Sequence, residues 1–292
     1  MSQTYEAESL FTNAVSTTMD AYADKYSVFD FHDRVDTERD VRSIAGAEVR
    51  FESVYDFPGW DRAQQWITDI IQRFGSADVL EVGSGANPTL DINSVSSRAL
   101  RYTANDVSAA ELDKADKVYD RWVCDLSTDA VPPDMQGRFD LVFSRMVNEH
   151  VADGQKYHAN IHKLLKPGGI SAHCFSTLYS LPFSVNRLAP ESASNALLNI
   201  FMPRDACKLG KFRAHYSWSR GPSASMLRRF GSLGYDVLDY RGYFGHAYYS
   251  RIPALHRLEA MKARWLLSHP VAPLCSYGML IARKRSGQAD PD

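Results

Sequence analysis

Cysteine is scarce in this 292-residue sequence, and its four cysteines are widely spaced. They are Cys124, Cys174, Cys207 and Cys275, and no two of them form a CxxC pair. Because disulfide frameworks and zinc knuckles use closely and regularly spaced cysteines, this pattern argues against both. It is typical of reduced thiols, so we expect a cytoplasmic protein without a structural metal.

Long hydrophobic runs are also missing. The first residues, MSQTYEAESLF, contain neither a basic segment nor an apolar one, so we expect no secretory signal. The largely apolar stretch 271–282 has twelve residues, which is too short to cross a bilayer. We therefore predict no stable membrane insertion.

The chain lacks an excess of positive charge, since its formal net charge is −2. Binding a phosphate backbone usually requires a concentrated basic surface, so we expect no nucleic-acid partner. Two basic runs, 228–229 and 283–285, could still form a local patch. The favoured interpretation is solvated charge on a helix and near a terminus.

Strand and helix patterns alternate through most of the chain. Seven short apolar segments predict strands, at 78–82, 100–104, 121–124, 139–143, 170–175, 235–240 and 277–282. Helical patterns lie at 60–74, 109–119, 154–165, 223–230 and 253–268. The alternation predicts an α/β fold with a Rossmann-like, seven-stranded, mostly parallel sheet flanked by helices. Ligands of such sheets bind at the carboxyl ends of the strands.

The rest of the chain is less regular. Residues 1–57 are polar and aromatic-rich with weak periodicity, so we expect an N-terminal cap or arm of short helices. One domain is predicted over 58–285, with helical insertions at 177–221 and 243–270 that cover the ligand edge. Residues 286–292 are expected to form a disordered tail.

The strongest local motif is EVGSGANP at 81–88, directly after the first predicted strand. Glycines at such a position let the backbone turn sharply and approach a ligand closely. Two glycines alone are a weak signal, because many α/β folds have a similar turn. Asn87 replaces the usual third glycine and Pro88 follows it, so we expect the next helix to start late, with 89–98 forming a loop or one short helix.

Acidic residues end the next two predicted strands. Asp106 lies 23 positions after Gly83, where a carboxylate can accept both ribose hydroxyls of an adenosine. The alternative is that Asp106 caps the following helix near Ser108. Asp125 ends the third strand and is placed to accept from an adenine amino group, although it could equally be a turn residue.

Five motifs, DVLEVGSGANP, YTANDVS, VCDL, FDLVFSRMVNEHV and HKLLKPGGI, resemble in order those of class I S-adenosylmethionine-dependent methyltransferases. The resemblance covers roughly residues 60–177. It implies S-adenosyl-L-methionine as cofactor. The cofactor-binding residues it implies are Glu81 near the methionine amino group, Gly83, Ser84 and Gly85 beneath the cofactor, Asp106 at the ribose, Asp125 and Leu126 around the adenine, and the backbone of Ser144 at the methionine portion.

The fourth motif ends in Ser-Arg-Met-Val, where methyltransferases of DNA bases and glutamine amides have an Asn/Asp-Pro-Pro-aromatic signature. This departure favours a small-molecule acceptor: a metabolite, a glycan or a specialised metabolite. Oxygen is the expected acceptor atom. The alternatives are N- or C-methylation of a metabolite or lipid, or a cofactor-binding scaffold without activity. The protein could also form a homodimer.

Methyl transfer to a hydroxyl benefits from a base, and histidine is the commonest choice at neutral pH. His150 follows the fourth strand at the active edge and is the candidate catalytic residue, with a structural role in the loop as the alternative. Other candidates are His173, His215 and His246. His158 and His162 lie four apart, but no third ligand has suggestive spacing, so we expect an exposed helix face and no metal. Aromatic residues at 216–218 and 240–249 could line an acceptor pocket or pack in the core.

Overall fold

The computed structural model describes residues 42–44, 47–117, 119–178, 214–247, 249–250 and 252–286. These residues form nine strands, named in chain order: β1 (Arg42–Ile44), β2 (Ala47–Ser53), β3 (Asp78–Val82), β4 (Arg101–Asp106), β5 (Asp120–Val123), β6 (Phe139–Arg145), β7 (Leu165–Ser176), β8 (Tyr235–Phe244) and β9 (Tyr277–Lys284). The α-helices are α1 (Ala63–Phe74), α2 (Ile92–Ser97), α3 (Ala109–Leu112), α4 (Gly154–Leu164), α5 (Ala224–Ser232) and α6 (Pro253–Ser268). Short 3₁₀ helices lie at Val54–Asp56, Pro133–Met135, Asn148–His150 and Ala272–Leu274.

All nine strands form one sheet, in the order β1-β2-β8-β9-β7-β6-β3-β4-β5. Strands β3 to β7 are parallel to one another, and β9 is antiparallel to both β7 and β8. The mostly parallel Rossmann-like sheet is confirmed, with two more strands than the predicted seven. The chain order reverses between β3 and β6, and a crevice forms beyond strand ends at such a switch point.

The N-terminal edge of the sheet differs from the sequence prediction. Residues assigned to a helical cap form strands β1 and β2 instead, and β2 pairs in parallel with β8. The segment AEVRFES has the period-two alternation of a half-buried strand, with Ala47 and Val49 buried between partly exposed charged residues. The ring of Phe51 stacks on that of Phe244 in β8, with centroids 5.5 Å apart. The rest of the predicted cap, residues 1–41, lies outside the described residues.

Apolar clusters pack on the two faces of the sheet and hold the strands in place. Helix α1 buries Ile67, Ile70 and Ile71 on one face. It ends at Gly75, which has a φ of 67° in the left-handed region that glycine adopts without strain. The other cluster is built around Leu80, Phe139, Phe175 and Phe230.

Some predicted boundaries shift. Helix α3 ends at Leu112 instead of continuing to 119, because the next amides, those of Lys114 and Ala115, donate to carbonyls only three residues back and the α-helical pattern stops. The Lys-Pro-Gly-Gly run is part of β7, which begins at Leu165 with an irregular register against β6. As predicted, 89–98 contains one short helix, α2.

Helix α4 corrects the expectation for His158 and His162. Both imidazoles are buried, because α4 packs against the sheet and α5. The ring of His158 lies 5.0 Å from that of Phe230, and burial lowers the pKa of His158 to about 3. These histidines therefore form part of the core and not an exposed face.

The predicted insertions are only partly described. Residues 179–213 of the first lie outside the described residues, as does the tail after Ser286. The second contains α6, with the predicted bounds. Of the helices described, none has the length and apolar character needed to cross a membrane.

Candidate functional site

The glycine loop after β3 is fixed to the neighbouring strand by backbone hydrogen bonds. The amide of Ser84 donates to the carbonyl of Asn105 at the end of β4, with N and O 2.9 Å apart. Gly83 and Gly85 have φ values of 70° and 56°, which disfavour other residues. A Cβ atom on Gly83 would lie 2.4 Å from a methyl carbon of Val147, so this glycine also allows the segment after β6 to pack against the loop.

Asp106 ends β4 directly beside this loop. One of its carboxylate oxygens accepts from the amide of Gly85 at 3.0 Å, and the other accepts from the amide of Ser108 at 2.9 Å. Ser108, and not Asp106, caps helix α3, because its hydroxyl accepts from the amide of Glu111. Each Asp106 oxygen keeps lone-pair capacity for a further donor. This geometry favours the ribose interpretation of Asp106 over the capping one.

Glu81 lies within β3, and its buried carboxylate holds the far side of the loop. It accepts from the amide of Thr89 at 2.9 Å and from the hydroxyls of Thr89 and Tyr102. Burial raises the pKa of Glu81, while the hydrogen bonds from Thr89 and Tyr102 oppose that shift. The carboxylate therefore anchors the loop, and its contact with a cofactor amino group stays a prediction.

The end of β5 brings a second acid and an apolar surface to the site. Asp125 accepts from the amide and hydroxyl of Ser127, at 2.8 and 2.7 Å, so it stabilises a turn. The side chain of Leu126 is buried in the core. Val123 pairs with Asp106 across the sheet and is 52% exposed, while Val107 is 56% exposed. These two valines were not predicted from the sequence, although Val107 directly follows β4 and Val123 is the last residue of β5.

Ser144 lies near the end of β6, at the switch point, and pairs with Val82 of β3 and His173 of β7. Its hydroxyl donates to the side-chain oxygen of Asn148 at 2.9 Å and lies 2.7 Å from Nδ1 of His173. The other ring nitrogen of His173 lies 2.7 Å from the hydroxyl of Ser171. His173 is thus a buried structural partner of Ser144, and burial lowers its pKa well below the usual value.

Arg145 follows Ser144 and was not recognised from the sequence. Its Nε is buried and has no hydrogen-bond partner in the described part of the chain. Its charge lies close enough to the Glu81 carboxylate to lower the pKa of that group. A buried guanidinium nitrogen without a partner at the switch point is available to an anionic group of a ligand.

The segment after β6 places two adjacent titratable residues in opposite environments. Its first residue, Met146, has a φ of 57°, which turns the chain out of the strand. In the 3₁₀ helix that follows, His150 is exposed, whereas Glu149 is 3% exposed. One Glu149 oxygen accepts from the hydroxyl of Ser176 at 3.1 Å, and the other has no hydrogen-bond partner among the described residues. Burial raises the pKa of Glu149 to about 7.

The aromatic stretches considered as pocket walls pack largely in the core. Tyr216, Tyr240 and Tyr243 are buried, and the hydroxyl of Tyr240 donates to the carbonyl of Arg220 at 2.7 Å. Trp218 packs against His158 and Phe230. Within the described ranges, no group of three His, Cys, Asp or Glu side chains is arranged to hold a metal ion.

Together, the strand order, the glycine loop and the acid that ends the next strand define an α/β domain of the Rossmann-like class. Residues 80–172 match the family model described as "Methyltransferase domain". This match spans 93 of the 292 residues and agrees with the methyltransferase family that the five motifs resemble. A search of curated proteins finds no match.

Solved structures with similar folds are distant in sequence. Phosphoethanolamine N-methyltransferase 2 from Haemonchus contortus, in complex with S-adenosyl-L-methionine, is 16% identical with a TM-score of 0.45. The match covers 76% of this chain and 53% of that one, so this chain spans about half the length of that relative.

Two further structures match most of their own length. An S-adenosylmethionine-dependent methyltransferase from Mesorhizobium loti is 16% identical with a TM-score of 0.44, over 77% of this chain and 99% of that one. The [4+2]-cyclase SpnF is 17% identical with a TM-score of 0.45, and the match covers 78% of this chain and 84% of that one. None of these likenesses is near enough to assign a substrate.

Proposed function

We propose that this protein transfers a methyl group from S-adenosyl-L-methionine to a small molecule, with a hydroxyl oxygen as the acceptor atom. The observation that supports this best is the position of Asp106. Two loop amides fix its carboxylate beside the glycine turn, where it can accept from two adjacent ribose hydroxyls. When bound, the cofactor supplies a methyl group on a positively charged sulfur.

The residues around Asp106 fit the nucleoside end of this cofactor. A Cβ atom on Gly85 would have only the Asp106 carboxylate within 4 Å, at 3.7 Å, so the loop leaves space above that glycine. Val107 and Val123 give exposed apolar area on either side of the acid, which suits the face of an adenine ring. Asp125 and the backbone of Leu126 would hold the edge of the ring.

The residues at the switch point fit the amino-acid end. Glu81 supplies negative charge toward an ammonium group, and Arg145 supplies a donor toward a carboxylate. The backbones of Gly83, Ser84 and Ser144 would position the chain of the ligand.

The acceptor side has two candidate proton acceptors. His150 is the first, since it is exposed in the segment after β6 and histidine is the commonest base at neutral pH. Glu149 is the second, because one of its oxygens has no hydrogen-bond partner among the described residues and its pKa of about 7 lets it take a proton near neutral pH. N- or C-methylation of a metabolite or lipid is the main alternative activity, and an inactive cofactor-binding scaffold is the alternative without catalysis.

Isothermal titration against S-adenosyl-L-methionine and its demethylated product tests the cofactor first, and binding of both is expected. Labelled methyl transfer to a metabolite extract then tests activity. Binding without any labelled product supports the scaffold, and absence of binding to either compound refutes the cofactor assignment. With an acceptor in hand, His150→Gln and Glu149→Gln identify the base, because only replacement of the base removes the titration from the pH profile of kcat.

A further inference from the structure

Helix α6 has an exposed apolar ridge on the side that faces away from the core. Leu258, Met261 and Trp265 are 60%, 64% and 56% exposed, and their spacing of three and four residues puts them on one face of the helix. The ring of Trp265 stacks on that of His269, with centroids 4.9 Å apart, which extends the ridge toward the end of the helix. Large apolar side chains exposed side by side are typical of an interaction surface.

The opposite face of α6 makes the buried contacts that hold the helix on the sheet, and the ridge takes no part in them. Leu266 is fully buried and packs with Phe244 and Cys275. Glu259 is also buried on this side, 2.6 Å from the ammonium group of Lys262. The ridge is therefore not needed to hold α6 on the sheet.

Cations border the ridge on both sides. Arg257 and Arg264, seven residues apart, lie in line along one flank and are exposed, while Lys262 lies along the other. The helix has three Lys or Arg residues and one acid, Glu259, so its net charge is +2 although the net charge of the whole chain is −2. The positive charge is concentrated around exposed apolar side chains.

We propose that this face of α6 docks on an anionic lipid surface. A ridge of Trp, Leu and Met bordered by Arg and Lys matches a helix that lies in the interface of a bilayer, with apolar side chains in the acyl boundary and cations at lipid phosphates. Pairing of α6 between two copies of the chain is disfavoured, because it would bring like charges together while the only acid of the helix is buried. Docking of this kind is peripheral and needs no helix that crosses the membrane.

Helix α6, and with it this surface, lies at the ligand edge of the sheet. The helix connects the end of β8 to the start of β9, and β8 runs parallel to β7 through their shared antiparallel neighbour. The helix therefore leaves and re-enters the sheet at the edge where Asp106 and Ser176 lie. The surface does not depend on the proposed methyl transfer, so each can be tested without the other.

Sedimentation of the full-length chain with vesicles tests the proposal. We expect binding to vesicles of phosphatidylcholine with 30% phosphatidylglycerol (roughly the anionic content that gives a strong surface potential) and weaker binding as salt is added. Replacing Met261→Gln together with Trp265→Gln should weaken the partition coefficient at least about tenfold. Arg257→Gln with Arg264→Gln should weaken it about 25-fold, from about fivefold for each cation.

The matched control is Arg98→Gln with Arg228→Gln, which removes two exposed cations elsewhere and should leave binding within about twofold of the original. Circular dichroism establishes that every variant is folded. No sedimentation with anionic vesicles, equal sedimentation with pure phosphatidylcholine, or unchanged binding of both α6 variants would overturn the proposal. So would a dimer in solution that the Met261 and Trp265 replacements dissociate.

Discussion

At the scale of single residues, Asp106 accepts from the amides of Gly85 and Ser108, which orients both carboxylate oxygens at the loop edge. Charge-assisted hydrogen bonds from ribose hydroxyls to this carboxylate contribute roughly 1.5–3 kcal/mol each. Asp106→Ala is therefore expected to weaken binding of S-adenosyl-L-methionine at least about tenfold in isothermal titration. Asp113→Asn is the control, because it removes an exposed acid seven residues further along the chain. Equal affinity of the Asp106 variant and the original protein would remove Asp106 from the site.

The burial of Glu149 predicts how the stability of the protein depends on pH. Burial raises its pKa from the ordinary 4.5 to about 7, so the folded state holds the proton more tightly than the unfolded state. Between these two pH values, the free energy of unfolding falls as the pH rises. Above pH 7, the buried charged carboxylate lowers it by roughly 3 kcal/mol. Glu149→Gln keeps an oxygen for the hydroxyl of Ser176 and cannot ionise.

Urea unfolding at several pH values measures the effect of Glu149. The Gln variant should lose less stability than the original protein between pH 5 and about 7.5, and it should be the more stable of the two at about pH 8. Gln155→Ala changes a nearby exposed residue that cannot ionise, and it should leave the original pH dependence in place. Parallel curves for the original protein and the Glu149 variant would show that this carboxyl is not the group that titrates.

Glu149 and His150 show which features of the site could be predicted from the sequence and which could not. Gly83, Gly85 and Asp106 were predicted because strand ends in a parallel sheet share one edge, and their chemistry follows from their register. Whether Glu149 or His150 points inward depends on Met146, whose positive φ turns the chain away from β6. Nothing in the local sequence identifies a methionine as a left-handed residue. Arg145 was missed for a similar reason, since its importance comes from the burial of its Nε and from the lack of a hydrogen-bond partner for that atom among the described residues.

At the scale of elements, β2 is held on β8 by a buried ionic group. Arg241 of β8 donates to Asp239 of the same strand at 2.6 Å and to Glu52 of β2 at 3.2 Å. Both acids are at least nine-tenths buried, and Arg241 compensates their charges. Removing one partner of a buried ionic group leaves uncompensated charge, which typically costs about 3–5 kcal/mol.

Arg241→Met should therefore destabilise the protein by about 3 kcal/mol in urea unfolding, while Arg228→Met, on the exposed side of α5, should change stability by less than about 0.5 kcal/mol. A small loss at neutral pH would show that water reaches these acids when the arginine is removed.

A comparison of β2 with β3 and α6 shows why some elements were predicted from the sequence and others were not. Strand β3 and helix α6 have the predicted bounds, because an apolar run or a helical period ends at a clear signal in both. In β2, the alternation is short, and the acidic Glu52 occupies a buried position beside β8. That pairing joins residues about 190 positions apart, as Arg241 and Glu52 show, so local periodicity alone could not predict it.

At the scale of the whole molecule, a ligand at the switch point would contact two strands, β4 and β6, that do not pair with each other. Asp106 ends β4 and Arg145 ends β6, with β3 and its glycine loop between them. A cofactor that binds both residues binds only the folded chain, so it should stabilise that state by mass action. At a free concentration 100 times Kd, the expected stabilisation is about 2.7 kcal/mol.

Thermal unfolding with the demethylated cofactor product measures this linkage without any methyl transfer. For a domain of this size, 2.7 kcal/mol corresponds to a rise in Tm of roughly 5–10 °C. Adenosine alone reaches the Asp106 end and methionine alone the Arg145 end, so each should raise Tm less than the complete ligand at the same concentration. Asp106→Ala should lower the shift produced by adenosine, whereas Arg145→Ala should lower the shift produced by methionine. If both variants lower both shifts equally, the two residues do not hold opposite ends of one ligand, and the proposed orientation of the cofactor is wrong.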